Sequence, residues 1–190
     1  EERKNLATVQ EIYDQIIKRI PKKNLLIAVV GGGILQDLAG FVASTLYRGI
    51  AWVFVPTTLL AQTDSCIGAK TSLNYKNFKN LIGTFYPPSE VVIHTPFLKT
   101  LQEVDYFSGL GEMMKLHLLG GKESVDEFTR RLPLLLNHDS KTLTEGIWRS
   151  LSIKQSFIEE DEFDIGRRNL LNFGHCFGHA IETATDYTIP

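Results

Sequence analysis

His175 and His179 stand four residues apart in the run Arg167-Arg168-Asn169-Leu170-Leu171-Asn172-Phe173-Gly174-His175-Cys176-Phe177-Gly178-His179-Ala180-Ile181-Glu182. On a helix that spacing puts both imidazoles on one face, where they can reach a single bound object. Arg168 and Asn172 lie on the approach, and Gly174 and Gly178 leave room for close contact. Two readings meet this description. One is a metal or anionic-substrate site; the other is a helix that buries one histidine and caps the second. The arginine, the asparagine and the glycines favour the site.

Chemistry is also offered near the start of the chain. Leu25 to Val30 is a short, wholly apolar run, as expected of a parallel strand covered on both faces. It ends in Gly31-Gly32-Gly33, after which Ile34 to Leu46 shows helical spacing. Strand, glycine turn and helix present backbone N–H groups and a positive helix end to a phosphate. The usual dinucleotide fingerprint would put glycine at 36, where this chain has Gln36. A tight turn without a ligand therefore stays open. Gly40 could serve helix packing, and Asp37 could meet a sugar hydroxyl or a backbone donor.

Arg48, Lys70 and Lys79 supply cations near the strand ends, where α/β sheets bind ligands, although a solvated surface holds lysines equally well. Glu112 and Lys115 are three apart, the spacing of an ordinary helical ion pair. Lys154 and the run Glu159-Glu160-Asp161-Glu162 with Asp164 look like a solvated helix end. His94, His117 and His138 have no partners at metal-ligand spacing and read as ordinary surface or core residues.

The elements that must position these groups change character along the chain. Residues 5–20 carry apolar positions at helical spacing and end at Pro21. Ala51 to Val55 is a second buried strand closed by Pro56-Thr57-Thr58, and the stretch before it is long enough for a crossover, so a parallel sheet is expected. Leu59 to Asp64 is expected to be helical, residues 64–71 a polar loop containing glycine, with Asn74, Lys79 and Asn80 after it, and Val91 to Ile93 a third strand. From residue 97 only helical periodicity remains, through 101–119, 124–136, 141–158 and the final histidine-bearing helix. The expectation is a Rossmann-like α/β part over residues 1–96 followed by an all-helical part over residues 97–190.

At 190 residues the chain can bury a proper core. A net charge of −2 argues against nucleic acid as the main partner. Cys66 and Cys176 are too few for a disulfide framework or a thiolate metal site, which fits a reducing, cytoplasmic setting. No secretory signal and no apolar run of membrane-spanning length is present, so no membrane partner is expected. The chain opens on Glu1-Glu2-Arg3-Lys4 and stops at Pro190 just after a helical pattern, and it reads as a segment truncated at both ends.

Taken in order, Gly31-Gly32-Gly33-x3-Asp37-x2-Gly40, Arg48-Gly49-Ile50, Pro56-Thr57-Thr58-Leu59-Leu60-Ala61-Gln62, Asp64-Ser65, Lys70-Thr71, Lys79-Asn80, Gly111-Glu112-x2-Lys115 and Leu171-Asn172-x-Gly174-His175-x2-Gly178-His179-Ala180-Ile181-Glu182 closely resemble the 3-dehydroquinate synthase family of sugar phosphate cyclases. The resemblance spans nearly the whole chain.

It implies an NAD- and zinc-dependent lyase, with cobalt as another possible metal, that converts 3-deoxy-D-arabino-heptulosonate 7-phosphate to 3-dehydroquinate and phosphate on the shikimate route to aromatic amino acids. It implies cofactor contacts from Glu1, Lys4, Gly32, Gly33, Asp37, Thr57, Thr58, Asp64, Lys79 and Thr100. Glu112 and His175 would be metal ligands, with a third, a histidine, beyond residue 190. Arg48, Lys70, Asn80, Lys115, Lys154, Arg168, Asn172 and His179 would bind substrate, His179 handling a proton. A homodimer is implied as well. Three positions depart from the family's habit: Asp164 for glutamate, Ala69 for glycine and Cys66 for serine. They leave room for a cyclase acting on another sugar phosphate. A non-catalytic member would be expected to lose Glu112, Lys115 or His175, and all three are present.

Overall fold

The computed structural model describes residues 2–19 and 25–185, leaving aside the side chains of residues 179, 182 and 183. The chain divides into two compact units. The first comprises Glu1–Thr57 and Ser65–His94, and the second Thr58–Asp64 and Thr95–Pro190.

In the first unit, α1 (Leu6–Arg19) precedes β1 (Leu26–Gly31), α2 (Gly33–Thr45) and β2 (Ala51–Pro56). Strand β2 lies in parallel between β1 and the short β5 (Glu90–Val91). This is the parallel sheet expected from the two apolar runs, with α2 as the crossover. Trp52 and Phe54 of β2 are buried, as are Leu38, Phe41 and Val42 of α2. Each such side chain contributes roughly 1.5–3 kcal/mol on burial. Gly40 permits the close packing: a Cβ there would lie 2.7 Å from Thr71 Cγ2 and 3.1 Å from the Trp52 ring.

Residues 70–85 hold structure beyond the expected polar loop, which they overlap only at Lys70 and Thr71. They form an antiparallel hairpin of β3 (Lys70–Tyr75) and β4 (Phe78–Phe85). The pattern misleads because Thr71 and Leu73 are the buried positions of β3, whereas Phe78, Leu81 and Phe85 are exposed. Period-two alternation is present, but its inner face is half polar and its outer face apolar.

The second unit is helical: α3 (Glu103–Leu119), α4 (Lys122–Leu136), α5 (Ser140–Glu160) and α6 (His175–Ala184), with a 3₁₀ turn over Arg167–Asn172. Asp139 caps α5 by accepting a hydrogen bond from the Thr142 N–H at 2.8 Å. Tyr106, Met113 and Leu116 of α3 and Ile147 of α5 are among the buried apolar side chains. The expected helix at 59–64 is found, wound at its end as a π-helix over Ala61–Ser65. Among the described residues, no helix is long and apolar enough to cross a membrane. Cys66 is buried and Cys176 exposed, and the two form no disulfide.

Candidate functional site

Leu116, Ile153, Phe157 and Leu171 form one buried apolar cluster in the helical unit. Lys115 directly precedes Leu116 and Lys154 directly follows Ile153, so the packing that fixes Leu116 and Ile153 also fixes where two lysines emerge. Both are themselves buried. Lys115 Nζ pairs with Glu112 one turn earlier, donates to the Leu171 carbonyl at 2.7 Å, and lies 3.4 Å from His175 Nε2. Lys154 Nζ lies 2.9 Å from Asp64 Oδ1 and donates to the Asp64 carbonyl at 2.6 Å. The ordinary i,i+3 pair is therefore present, but its lysine also reaches a residue sixty positions on.

The two carboxylates respond oppositely to this setting. Burial works to raise Asp64, but the Lys154 and Lys115 ammoniums, with His175, hold it below the usual carboxylate range. Glu112 is raised, by burial first and then by the negative charge of Asp64, which Lys115 and Lys154 offset only in part.

Glu112, Lys115, Phe173, Gly174 and His175 line a cavity of about 290 Å³. Glu112 Oε1 is buried there; it makes the Lys115 ion pair and receives no well-aligned hydrogen bond. A carboxylate oxygen and an imidazole nitrogen on one cavity suit zinc or cobalt, and the pair fits such a metal. Among the described residues no group of three or more His, Cys, Asp and Glu side chains assembles, so these two would need ligands from elsewhere.

Arg168 is 2% exposed and donates through Nη1 to the Glu162 carbonyl. Burial lowers its pKa, while Asp164, Asp161, Asp64 and Glu162 act to keep it charged. Its backbone is held by Asp161, the residue that ends α5. The Asp161 carboxylate accepts hydrogen bonds from Ile165 N at 2.9 Å, Gly166 N at 2.7 Å and Arg168 N at 3.0 Å. These bonds, that from Ile165 foremost, keep Asp161 below the usual carboxylate range. Asn172 is exposed at the end of the 3₁₀ turn. The side chain of His179 falls outside the described residues, so its alignment with His175 rests on helix spacing alone.

The sheet unit gathers a different set. Gly32 is the N-cap of α2 and Gly33 its first residue, directly after β1, and Thr57 N bonds to the Gly31 carbonyl at 2.9 Å. Lys4 Nζ lies 2.6 Å from Asp37 Oδ2 and donates to Asn80 Oδ1 at 2.7 Å. Asp37 also accepts from the N–H and hydroxyl of Ser72, each at 3.0 Å. Burial raises the Asp37 pKa, and Lys4 and Ser72 oppose it without prevailing. Asp37 thus finds a backbone donor, and the donor belongs to the hairpin.

Lys79 is half-buried on β4, and Lys70 is exposed at the start of β3. Arg48 is exposed with a left-handed backbone, φ 69°. Thr58 Oγ1 accepts from Ala61 N at 3.2 Å, and exposed Thr100 donates to the Phe97 carbonyl at 3.2 Å. Glu1 lies outside the described residues.

Three contributors were not foreseen. Gln36 takes the place of the fingerprint glycine and is buried; its side chain donates to the Ser65 carbonyl and accepts from the Ser65 hydroxyl at 2.7 Å. Ser72 and the Leu171 carbonyl carry no sequence signal of their own. Gln36 did carry one, in the departure from glycine.

Comparison with known proteins agrees over the whole chain. Residues 1–108 match the family model described as 3-dehydroquinate synthase N-terminal, and residues 109–190 match 3-dehydroquinate synthase C-terminal. The chain is 46% identical over 182 residues to the 3-dehydroquinate synthase of Clostridium tetani, covering 96% of this chain and 49% of that protein. It is 43% identical over 185 residues to that of Geobacter sp. strain M21, covering 97% and 51%. The chain thus spans about half the length of the curated relatives it matches.

Among solved structures, 2-deoxy-scyllo-inosose synthase complexed with carbaglucose-6-phosphate, NAD+ and Co2+ matches all of this chain and 52% of its own, with TM-score 0.87 and 31% identity. The 2-epi-5-epi-valiolone synthase from Streptomyces hygroscopicus subsp. jinggangensis 5008, with NAD+ and Zn2+ bound, covers 97% of this chain and 52% of its own, with TM-score 0.80 and 28% identity.

Proposed function

The chain belongs to the 3-dehydroquinate synthase family, and from that premise we propose that it serves as an NAD- and divalent-metal-dependent lyase converting 3-deoxy-D-arabino-heptulosonate 7-phosphate to 3-dehydroquinate and phosphate. The observation that carries the reading is the buried cluster in which Glu112, Lys115 and His175 share one cavity and Lys154 holds Asp64. Two buried lysines, a buried arginine and a metal-compatible donor pair suit a substrate that bears a carboxylate, hydroxyls and a phosphate.

Residues 1–96 would form the NAD-binding part, with Lys4, Gly32, Gly33, Asp37, Thr57, Thr58, Asp64, Lys79 and Thr100 as its contacts, together with Glu1. Residues 97–190 would bind metal and substrate. Glu112 and His175 would hold zinc or cobalt. When bound, the metal supplies a Lewis acid for substrate hydroxyls and NAD supplies a reversible hydride acceptor.

The chain's own residues bind, orient and move protons. Lys154, Lys115 and Arg168 would engage the substrate's anionic groups, with Arg48, Lys70 and Asn80 completing the set. In a buried site these contacts gain strength because little water competes for them. Asn172 would take a hydroxyl, and His179 would accept the proton released there. A homodimer in the cytoplasm completes the proposal.

Purified full-length gene product, supplied with NAD and zinc, should release phosphate from the heptulosonate substrate. A second reading is favoured by the match to 2-deoxy-scyllo-inosose synthase and by Asp164: a cyclase acting on another sugar phosphate. Phosphate release from glucose 6-phosphate or sedoheptulose 7-phosphate, with none from the heptulosonate, would replace the first reading by the second.

A further inference from the structure

Asp161 is a residue that the proposed chemistry does not use, yet its carboxylate organises more backbone than any other carboxylate of the site. It receives three backbone N–H groups, those of Ile165, Gly166 and Arg168. It is also the C-cap of α5, its own N–H bonding to the Phe157 carbonyl at 3.0 Å. Phe157 belongs to the same apolar cluster that carries Lys154 and Lys115. One side chain therefore ties the loop that delivers Arg168 to the helix that carries Lys154.

Other bonds run within the loop: Arg168 Nη1 donates to the Glu162 carbonyl. Asn169 Nδ2 bonds to the Asp164 and Gly166 carbonyls, both at 3.2 Å, within the loop itself. Arg167 turns outward, pairing with Glu160 and lying over the Phe157 ring at 4.4 Å, whereas Arg168 turns inward and is buried. The two adjacent arginines thus leave the 3₁₀ turn on opposite sides. The Asp161 carboxylate bonds on both sides of that point.

We propose that Asp161 is a positioning residue: through three backbone hydrogen bonds it sets the 161–168 loop so that the Arg168 guanidinium meets the substrate's anionic group, and it governs substrate affinity without touching substrate. The inference rests on the functional reading above, in which Arg168 binds an anion. A charge-assisted hydrogen bond from a well-placed guanidinium is worth about tenfold or more in affinity. Losing its placement forfeits the same factor.

The test uses the full-length gene product with NAD and zinc bound, and compares Asp161→Ala, Asp161→Asn, Arg168→Ala and the Asp161→Ala/Arg168→Ala double variant. Asp161→Ala is expected to raise KM for the heptulosonate phosphate about tenfold with kcat within about twofold, because affinity and not chemistry is lost. Arg168→Ala should raise KM at least as much, and the double variant should be no worse than Arg168→Ala alone, since both remove one interaction. Asp161→Asn keeps one carbonyl oxygen, which can still accept from Gly166 and Arg168 as Oδ2 does, but its amide nitrogen cannot accept the Ile165 N–H taken by Oδ1, so its KM should fall between those of the parent and Asp161→Ala.

A purely structural role would lower thermal stability and active fraction while leaving KM in place; that result overturns the proposal. Additive losses in the double variant overturn it too. If Arg168→Ala leaves KM unchanged, or the parent releases no phosphate, the functional reading falls and the positioning role falls with it. If Arg168→Ala raises KM and neither Asp161 variant does, only the positioning role is lost.

Discussion

Lys4–Asp37 in the sheet unit and Lys154–Asp64 in the helical unit are ion pairs of matched burial. The side chains are 7% and 19% exposed in the first pair and 7% and 20% in the second. Their carboxyl groups nevertheless move in opposite directions, Asp37 upward and Asp64 downward. The surroundings account for the difference. Asp37 meets one cation and spends its remaining capacity on Ser72, so its charge is only partly compensated. Asp64 feels Lys154, Lys115 and His175 together. Distance to the nearest lysine does not decide the outcome; the number of cations sharing the site does.

That contrast has a large consequence for stability. Lys154→Met should strand Asp64 in a buried position and cost about 3 kcal/mol, as breaking a buried pair does. Lys4→Met should cost less, about 1–2 kcal/mol, because Asp37 keeps both Ser72 bonds and, with its pKa raised by burial, takes up a proton more readily than Asp64 does. Urea unfolding of both variants at neutral pH measures the pair. Equal losses would break the comparison.

A buried histidine sharpens it from the side of the cations. His117 is buried, held through Nδ1 by Ser124, and burial lowers its pKa from the ordinary value of about 6.5. The unfolded chain therefore binds the proton more readily than the folded one. The stability contributed by neutral His117 is fully present above about pH 6.5 and is lost as pH falls toward the lowered folded value. The gap in unfolding free energy between the parent and His117→Gln should be widest near pH 8 and shrink on acidification. A pH-independent gap would show that His117 is not the titrating group.

The smallest expected effect lies in the backbone. Ala69 has φ 63°, a left-handed conformation that glycine adopts without a Cβ penalty. Ala69→Gly should gain about 0.5–1 kcal/mol, read as a higher unfolding midpoint. A loss there would mean that the methyl group packs more favourably than the backbone is strained.

The units differ in legibility as well. Strands β1 and β2 and helices α2 to α5 could be read because their apolar residues repeat with the period of the element. The hairpin could not, because β4 turns Phe78, Leu81 and Phe85 outward and its partner buries a threonine. In the site, Glu112 and Lys115 announce themselves as a helical pair. What makes them more than a pair is the Leu171 carbonyl and His175, brought in by packing across more than fifty residues. Asp64 and Lys154 are ninety positions apart, and no local pattern connects them. Lys154, beside an acidic run, suggests a solvated helix end; it is buried because Ile153 and Phe157 on the same helix are core residues. Periodicity reports which face is apolar, but not which charged neighbour that face drags inward.

The placement of Thr58–Asp64 with the helical unit, although both flanking stretches belong to the sheet unit, bears on how such a gene could be recombined. A single crossover between residues 94 and 95 would exchange the helices after it and leave Asp64 behind. The incoming Lys154 would then meet whatever carboxylate the other parent encoded at position 64. Chimeras joined at that one breakpoint should survive only when both parents carry the acid. Pairs that differ there require a second exchange around residues 58–64, so two codons ninety positions apart would be inherited as one.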